Sequence, residues 1–525
     1  MFRRKKLLFV VAVVLIISLL AACGEKQTQS QGQDEPKKIV FAEAYEWEGV
    51  DTYQVEWNGI VQTAHADGLL TFDMETKKLV PNTAISFKIS DDKKTITLTL
   101  PEGLTYGNGE PVLPEDIKRS IEWGLEVSPY NWDYMIIQDI EINGNDIVIR
   151  CEGFSSTVMY YLTTNYMPIL SKAQIENSTA EELLMNAVQY GLFYVDDYVA
   201  GSHAILKRNE KYKTNNPNVE NKGPAHIQEL VVKFMPDGFS RVAGLKAGEI
   251  DIASSIPVEN VEELENDPNI EVAKIPVPGM VYLTLNMDNP IFKDINIRKA
   301  VAYAIDRDTI ANANKGFVKS AYSFIVPEMM DYSSDIAEYY KSNYSDNLDK
   351  AKQLLADAGW VDTDGDGYLD KDGNIFEFSL LSGSEATHSK NTIQVMQMRF
   401  KELGIKANIG TAENGYLKEK MKNDDYDAII KGFEWAEPAS ILPYIIHDSN
   451  NLNNEEYYDI LLSAATIVDD DERISKFAEA QKLLMDEFAF IPLLQEFNIS
   501  AYRNNITGVK FLFDNRMIFN DIDKK

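Results

Sequence analysis

The sequence predicts a mixed α/β fold, because strand patterns and helix patterns alternate along the chain and no repeat period is found. Thr95–Leu100 alternates polar and apolar residues strictly, which is typical of a half-buried strand. Ile297–Ile305 places apolar residues three and four apart, which is typical of a helix with one buried face, and Asp294 can cap it. Apolar residues make up 45% of the 525-residue chain, enough to bury several cores.

The same kinds of pattern predict further strands and helices. Short apolar runs rich in β-branched residues indicate strands at Leu230–Val232 and Val281–Leu285. A second apolar stripe indicates a helix over Leu348–Ala358, which Gly359 ends because glycine readily adopts the left-handed conformation. Pro114 precedes two acidic residues and indicates the start of another helix, since both residue types suit a first turn.

The charge balance excludes one functional class. The chain carries 51 Lys and Arg against 82 Asp and Glu, a formal net charge of −31. A protein that binds nucleic acid by neutralising phosphates needs a basic face, so no nucleic-acid partner is expected. The two cysteines are Cys23 and Cys151. Cys23 belongs to a signal pattern at the N-terminus, and Cys151 is interpreted as a packing residue.

The N-terminus resembles a bacterial lipoprotein signal. Arg3–Lys6 precede the apolar run Leu7–Leu20, which is shorter than the about 20 residues of a membrane span. Two alanines then precede Cys23, the residue that such signals lipidate. Residues 1–22 are therefore predicted to be a signal peptide, and residues 23–38 a flexible polar tether. The alternative interpretations are an ordinary signal peptide with an incidental cysteine and a short N-terminal anchor.

Six short blocks resemble one family, the extracellular solute-binding proteins of ATP-binding-cassette (ABC) importers, which include oligopeptide-, dipeptide- and nickel-binding proteins. Each block alone is a weak signal, but all six occur in the family's order and span nearly the whole chain behind the N-terminal signal. The blocks are Leu104–Val112, Gly201–Tyr212, Leu245–Asp251, Arg298–Arg307, Ala351–Trp360 and Ile491–Leu493.

The resemblance implies a two-lobed, periplasmic-binding-protein-like α/β fold of the class II, venus-flytrap type, with an additional small domain on the first lobe. Two crossing segments would join the lobes and let them close around a ligand. By this resemblance, lobe I comprises residues 39–70, 191–278 and 489–525, the extra domain comprises residues 71–190, and lobe II comprises residues 279–488.

The function that the resemblance implies is binding rather than catalysis. The protein would capture peptides outside the membrane as a monomer, anchored to the bacterial cell membrane by a lipid on Cys23, and deliver them to the transmembrane subunits of an ABC permease. The alternative ligands for the same fold are a nickel chelate, an opine and an oligosaccharide. The alternative from another class is a secreted hydrolase with a carboxylate pair, although no G-x-S-x-G or H-E-x-x-H pattern supports it.

The segment Lys431–Pro438 carries the predicted ligand site. When Gly432-Phe433 and Glu437-Pro438 are aligned with the family, Glu434 takes the place of the acidic residue that receives a peptide's α-ammonium group. A carboxylate suits this role, because a buried ammonium needs a charge-assisted partner. This chain is two residues shorter here and has a glutamate where relatives usually have an aspartate.

Four further residues complete the predicted ligand site. Trp435 is the aromatic residue of the same segment. Relatives that bind oligopeptides often have an arginine where this chain has Ile430, and the neighbouring Lys431 offers only a point charge to a ligand carboxylate. Tyr416 lies where relatives often place an aromatic ring over the ligand, and Trp47 lies in the segment expected along the cleft. Core packing is the alternative role for both rings.

A short acidic segment resembles the opening of a calcium loop. Carboxylates would occupy loop positions 1, 3, 5 and 9, from Asp362, Asp364, Asp366 and Asp370. Position 12, which normally supplies a bidentate glutamate, is Gly373. The segment is therefore interpreted first as a turn stabilised by Asp and Gly residues, with no cofactor, and a Ca²⁺ site is the alternative.

Overall fold

Strands and helices alternate along the folded chain, as the sequence patterns predict. The structure is a computed structural model that describes residues 36–384, 388–447 and 455–525. Its strands are β1 (Lys38–Glu43), β2 (Leu70–Phe72), β3 (Leu79–Pro81), β4 (Ser86–Ile89), β5 (Thr95–Thr99), β6 (Ile137–Asn143), β7 (Asp146–Cys151), β8 (Phe193–Val199), β9 (His203–Arg208), β10 (Glu229–Phe234), β11 (Ile252–Ala253), β12 (Ile270–Pro276), β13 (Gly279–Leu285), β14 (Val318–Ser320), β15 (Asp370–Lys371), β16 (Asn374–Ile375), β17 (Glu377–Gly383), β18 (Lys406–Ala412), β19 (Ala428–Glu434), β20 (Phe490–Arg503), β21 (Ile506–Thr507), β22 (Lys510–Phe511), β23 (Met517–Ile518) and β24 (Asp523–Lys524).

The helices lie between these strands and cover the sheets. None of those in the described part of the chain is long and apolar enough to cross a membrane. They span Ile60–His65, Pro114–Val127, Ser156–Tyr161, Lys172–Asn177, Ala180–Asn186, Gly238–Ala247, Val258–Glu265, Ile295–Ala304, Arg307–Ala313, Ser334–Asn343, Leu348–Asp357, Ser389–Glu402, Asn414–Lys422, Pro438–His447, Glu455–Ala465 and Asp470–Asp486, with a 3₁₀ helix at Asn131–Tyr134.

The main sheet has two halves that share β20. Its order is β18-β17-β19-β13-β20-β11-β1-β10-β9-β8, and β12 and β14 also pair with β20. The first part of β20 pairs with β13 and β14, and the last part pairs with β12 and β11. The chain therefore crosses between the halves twice, once along β20 and once where β12 leads into β13. These halves are the two lobes of the predicted fold, which is confirmed.

The strands are distributed over the predicted segments as follows. Strands β1 and β8 to β12 fall in the segments assigned to lobe I, and β13, β14 and β17 to β19 fall in lobe II. The predicted extra domain, residues 71–190, contains the separate four-stranded sheet β4-β5-β7-β6. The exact domain boundaries stay predictions.

The extra domain and lobe I share one hydrophobic core. Ile96 and Tyr161 of the extra domain pack in the same buried cluster as Phe41 and Leu206 of lobe I. The shared core joins the two units, although lobe I has a second cluster of its own around Leu245. We therefore expect the two units to move as one body.

Lobe II is buried on both faces of its sheet. Every residue of β13 is buried, and adjacent residues point to opposite faces. Leu283 packs with Val301 and Phe378 on one face, whereas Tyr282 packs with Phe324 on the other. Helices cover both faces of the sheet, and this packing fixes the position of each strand end at the edge of the sheet.

The structure confirms the predicted local elements. The predicted helix around Ile297 is Ile295–Ala304, and Asp294 caps it by accepting a hydrogen bond from the Asn296 backbone N–H at 2.9 Å. The helix predicted from Leu348 ends at Asp357, and Gly359 follows with a φ of +85°. Cys151 is buried, as its interpretation as a packing residue requires. The predicted signal and Cys23 lie outside the described residues.

Candidate functional site

Glu434 is the last residue of β19 and lies beside the crossing between the lobes. It pairs in register with Gly279, the first residue of β13. The two backbones approach so closely that a Cβ atom at position 279 would lie 2.0 Å from the carbonyl oxygen of Phe433. The backbone N–H of Trp435 donates a hydrogen bond to the carbonyl of Pro278 at 2.8 Å. These contacts fix the carboxylate at the joint between the two halves of the sheet.

Two neutral amides hold the Glu434 carboxylate. The side chains of Asn498 and Asn515 both donate to Oε1, at 3.4 and 3.1 Å. The carboxylate is accessible to solvent, but protein atoms surround much of it. The resulting desolvation raises its pKa, and the hydrogen bond from Asn515 acts in the opposite direction. The negative charges of Glu496 and Asp514 raise the pKa further. The site therefore favours a positively charged ligand group, which would relieve the repulsion between the acids.

Trp435 packs into a cluster of four tyrosines from the extra domain, which we call the tyrosine box. The indole ring lies 6.4, 5.4, 5.9 and 5.4 Å, between ring centroids, from Tyr130, Tyr160, Tyr161 and Tyr166. These edge and tilted contacts are favourable for aromatic pairs. Trp435 therefore joins lobe II to the extra domain, and its predicted role as a ligand contact stays a prediction.

The next two residues extend the contact between lobe II and the extra domain. Ala436 is fully buried, and Glu437 accepts hydrogen bonds across the interface from the hydroxyls of Ser156 at 2.9 Å and Thr157 at 3.2 Å. Glu437 also accepts a bond from the backbone N–H of Ser440 at 2.8 Å, which caps the helix Pro438–His447. The segment 435–437 is therefore an interdomain contact held by both packing and hydrogen bonds.

The other predicted ligand residues do not lie together with Glu434. Lys431 is three residues earlier in β19, so the alternation of the strand puts its side chain on the opposite face. Tyr416 is half exposed on the helix Asn414–Lys422 and faces Lys420, whose Nζ lies 5.6 Å from the ring centroid. Trp47 is buried in the lobe I core against Tyr198.

The predicted calcium loop is an ordered acidic turn in lobe II. One carboxylate oxygen from each of Asp362, Asp364 and Asp370 lies within 4.8 Å of the others. Asp362 accepts hydrogen bonds from the backbone N–H groups of Gly365 and Gly367, and Asp370 accepts from Thr363. Asp366 is outside this group and accepts from the backbone N–H of Tyr368. The turn is thus stabilised by its own Asp and Gly residues, and calcium binding stays a prediction.

Sequence patterns gave no signal for several residues that surround Glu434. Asn515 is 81 residues from Glu434, and the tyrosine box lies more than 260 residues away along the chain. Each residue is ordinary in its own segment. Their position beside β19 follows only from the packing of the extra domain and the C-terminal segment against lobe II.

Two lobes that share a crossing strand and meet through a buried contact have the architecture of a two-lobed, periplasmic-binding-protein-like fold, and Glu434 holds a carboxylate at their joint. The fold places this group at the carboxyl end of a strand, where ligands of open α/β sheets usually bind.

A family model described as bacterial extracellular solute-binding proteins, family 5, middle region, matches residues 78–453, which is more than half of the chain. The chain therefore belongs to this family of ABC-importer binding proteins, and the predicted family resemblance is confirmed. The protein is a solute-binding protein of the ABC-importer type, and its relatives are binding proteins rather than enzymes.

Individual relatives agree with this assignment. The oligopeptide-binding protein AppA of Bacillus subtilis is 26% identical over 97% of this chain and 97% of its own length. Among solved structures, NikA from Brucella suis in complex with Fe(III)-EDTA has a TM-score of 0.79 at 19% identity, covering 93% of this chain and 100% of that one. AppA from Bacillus subtilis in complex with a nonapeptide has a TM-score of 0.70 at 20% identity, covering 94% and 100%. At these identities, the structures show the shared fold.

Proposed function

We propose that this protein is a lipid-anchored extracytoplasmic binding protein that captures peptides between its lobes and delivers them to an ABC permease. The observation that carries the proposal is Glu434, a partly desolvated carboxylate at the joint of the lobes whose hydrogen-bond donors are both neutral. A free peptide has a positive α-ammonium group at one end. That group would provide the charge-assisted partner that two amides cannot.

The geometry of Glu434 supports an ammonium ligand in particular. Both asparagine amides donate to Oε1, so a ligand can approach Oε2. The nearby Glu496 and Asp514 disfavour a ligand that brings a carboxylate to the same place. A nickel chelate, an opine or an oligosaccharide remains an alternative cargo of the same fold, but no feature of this site favours one of them.

Native mass spectrometry of the mature protein, purified without refolding, tests the proposed cargo. Closed binding proteins release their ligands slowly, so we expect the protein to retain part of its cargo. The expected result is a series of bound masses that differ by amino-acid residues, which also gives the range of peptide lengths. A single non-peptide mass, or a bound metal complex, would contradict the peptide proposal and leave the fold assignment intact.

Replacing Cys23 with serine tests the proposed lipid anchor. Without a thiol to carry the lipid, we expect the Cys23→Ser protein to leave the membrane fraction and appear in the soluble fraction. Immunoblots of fractionated cells measure this shift. Cys151→Ser is the matched control, because that cysteine is buried in the extra domain and should not change membrane retention. Equal retention of Cys23→Ser and the wild type would exclude lipid anchoring through this residue.

A further inference from the structure

Two carboxyl groups come close together where lobe II meets the extra domain. Glu437 is fully buried on the lobe II side, immediately before the helix Pro438–His447. Asp133 lies on the other side, in the 3₁₀ helix Asn131–Tyr134. The two acids accept hydrogen bonds from one helix of the extra domain, Ser156–Tyr161: Glu437 accepts from Thr157 at 3.2 Å, and Asp133 accepts from Tyr161, one turn later, at 2.7 Å. Thr157 and Tyr161 lie four residues apart on the same face of this helix, so the two acids, which come from different domains, lie next to each other.

The hydrogen-bond donors to this pair are neutral groups. Glu437 receives the hydroxyls of Ser156 at 2.9 Å and Thr157 at 3.2 Å from the extra domain. Asp133 receives the hydroxyl of Tyr161 at 2.7 Å. None of these donors carries a positive charge that could offset two negative charges in a desolvated contact. Glu437 is fully buried and Asp133 is half-buried, and such a pair of acids is most stable when it holds one proton.

The electrostatics of the two acids agree with this geometry. The pKa of Asp133 is raised to about 7, mainly by burial; the hydrogen bond from Tyr161 acts against this rise, and the negative charge of Glu437 adds to it. Burial also raises the pKa of Glu437. Water would return to both acids if lobe II moved away from the extra domain, and their pKa values would fall to the ordinary range near 4.

The other titratable groups that face the pair do not compete for this proton near neutral pH. They are tyrosines of the extra domain, and burial raises the pKa of each, so they stay neutral. These residues are Tyr130, Tyr134, Tyr160 and Tyr161. Trp132 and Ser440, which also contact Asp133, do not titrate in this range.

We propose that Asp133 and Glu437 are positioning residues that couple closure of lobe II onto the extra domain, and hence ligand affinity, to the uptake of one proton. Because the pKa of Asp133 is higher in the closed protein than in separated domains, closure binds a proton as the pH falls below about 7. Acidification therefore favours the closed form, and alkaline pH favours its opening. The proposal concerns closure of the two-lobed fold and does not depend on the identity of the cargo.

Calorimetric titration with tri-alanine at pH 6 and pH 8 tests the proposal in the wild type and Asp133→Asn. Asparagine keeps an oxygen that accepts from Tyr161, but it cannot ionise. The wild-type affinity, divided by that of Asp133→Asn, should rise about tenfold from pH 8 to pH 6, as expected for a group with a pKa near 7 in the closed form. Titration of Glu434 affects both proteins and cancels in this ratio. Asp133→Asn should also bind more tightly than the wild type at pH 8.

Two results would overturn the proposal. One is an affinity ratio that stays the same at both pH values. The other is weaker binding by Asp133→Asn at both, which a merely structural role would cause. Glu437→Gln is the second variant, because its amide oxygen can still accept from Thr157 and Ser440, its amide nitrogen can donate to the Ser156 hydroxyl oxygen, and the charge is removed. It should reduce the same pH dependence.

A measurement without ligand separates this proposal from the proposed function. If the wild type binds no tri-alanine, the peptide proposal has failed for this probe. Small-angle X-ray scattering of the ligand-free proteins then tests proton-coupled closure. The wild type should be more compact at pH 6 than at pH 8, and Asp133→Asn should be equally compact at both. A radius of gyration that is independent of pH and identical in the two proteins would refute proton-coupled closure.

Discussion

Replacing Glu434 with glutamine is expected to weaken the binding of a free-amine peptide about 100-fold and to leave the binding of its N-acetylated counterpart nearly unchanged. Glutamine has the same size and can still accept the hydrogen bonds from Asn498 and Asn515, so the local structure should persist. It lacks the charge that would pair with the α-ammonium group. The bound peptide would exclude water from this charge pair, and loss of one partner of a desolvated pair costs about 3 kcal/mol, which corresponds to the expected change. Calorimetric titration with the two peptides measures both affinities.

Glu419→Gln provides the control for the Glu434 experiment. Glu419 is exposed on the helix Asn414–Lys422, and its substitution changes the net charge by the same amount. It should leave the affinity for both peptides unchanged. Equal losses for the free and the acetylated peptide in Glu434→Gln would rule out recognition of the ammonium group by this residue.

Replacing Trp435 with alanine is expected to have the second large effect. The indole packs against four tyrosine rings, and Trp→Ala substitutions at buried sites cost about 3 to 5 kcal/mol. Trp435 is partly exposed, so we expect a loss near the lower end of that range. Because the contact joins lobe II to the extra domain, the loss should reduce both the free energy of unfolding and the affinity for ligand. Urea unfolding followed by circular dichroism measures the first, and calorimetric titration measures the second.

Trp57→Ala is the matched control, because Trp57 is 66% exposed. Its substitution should change the free energy of unfolding by less than about 0.5 kcal/mol. If Trp435→Ala and Trp57→Ala have the same effects on unfolding and on affinity, the tyrosine box does not hold the lobes together.

The local elements of the fold could be predicted because their causes are local. The alternation at Thr95–Leu100 depends on residues that are neighbours in sequence, and it appears as β5. Asp294 caps its helix through a backbone N–H only two residues away. Gly359 ends a helix through its own backbone conformation. Such features need no tertiary contact to be recognised.

The candidate site could be predicted only in part. Glu434 and Trp435 were identified from one continuous segment that resembles the family. The same reasoning grouped Lys431 with Glu434, whereas the alternation of β19 puts the two side chains on opposite faces. Trp47 and Tyr416 were predicted from their places along the chain, and the structure packs the first in a core and leaves the second half exposed. Their roles as ligand contacts stay predictions.

The sequence by itself determined the family, the two-lobed α/β class and the segment that carries Glu434, because these depend on local patterns and on the order of short blocks. Only the tertiary structure decided that Asn515 holds this carboxylate and that the tyrosine box receives Trp435. It also decided that Asp133 of the extra domain and Glu437 of lobe II accept hydrogen bonds from the same helix. The physical reason is that these partners lie tens to hundreds of residues apart and meet only because β20 and the β12–β13 connection bring separate domains together.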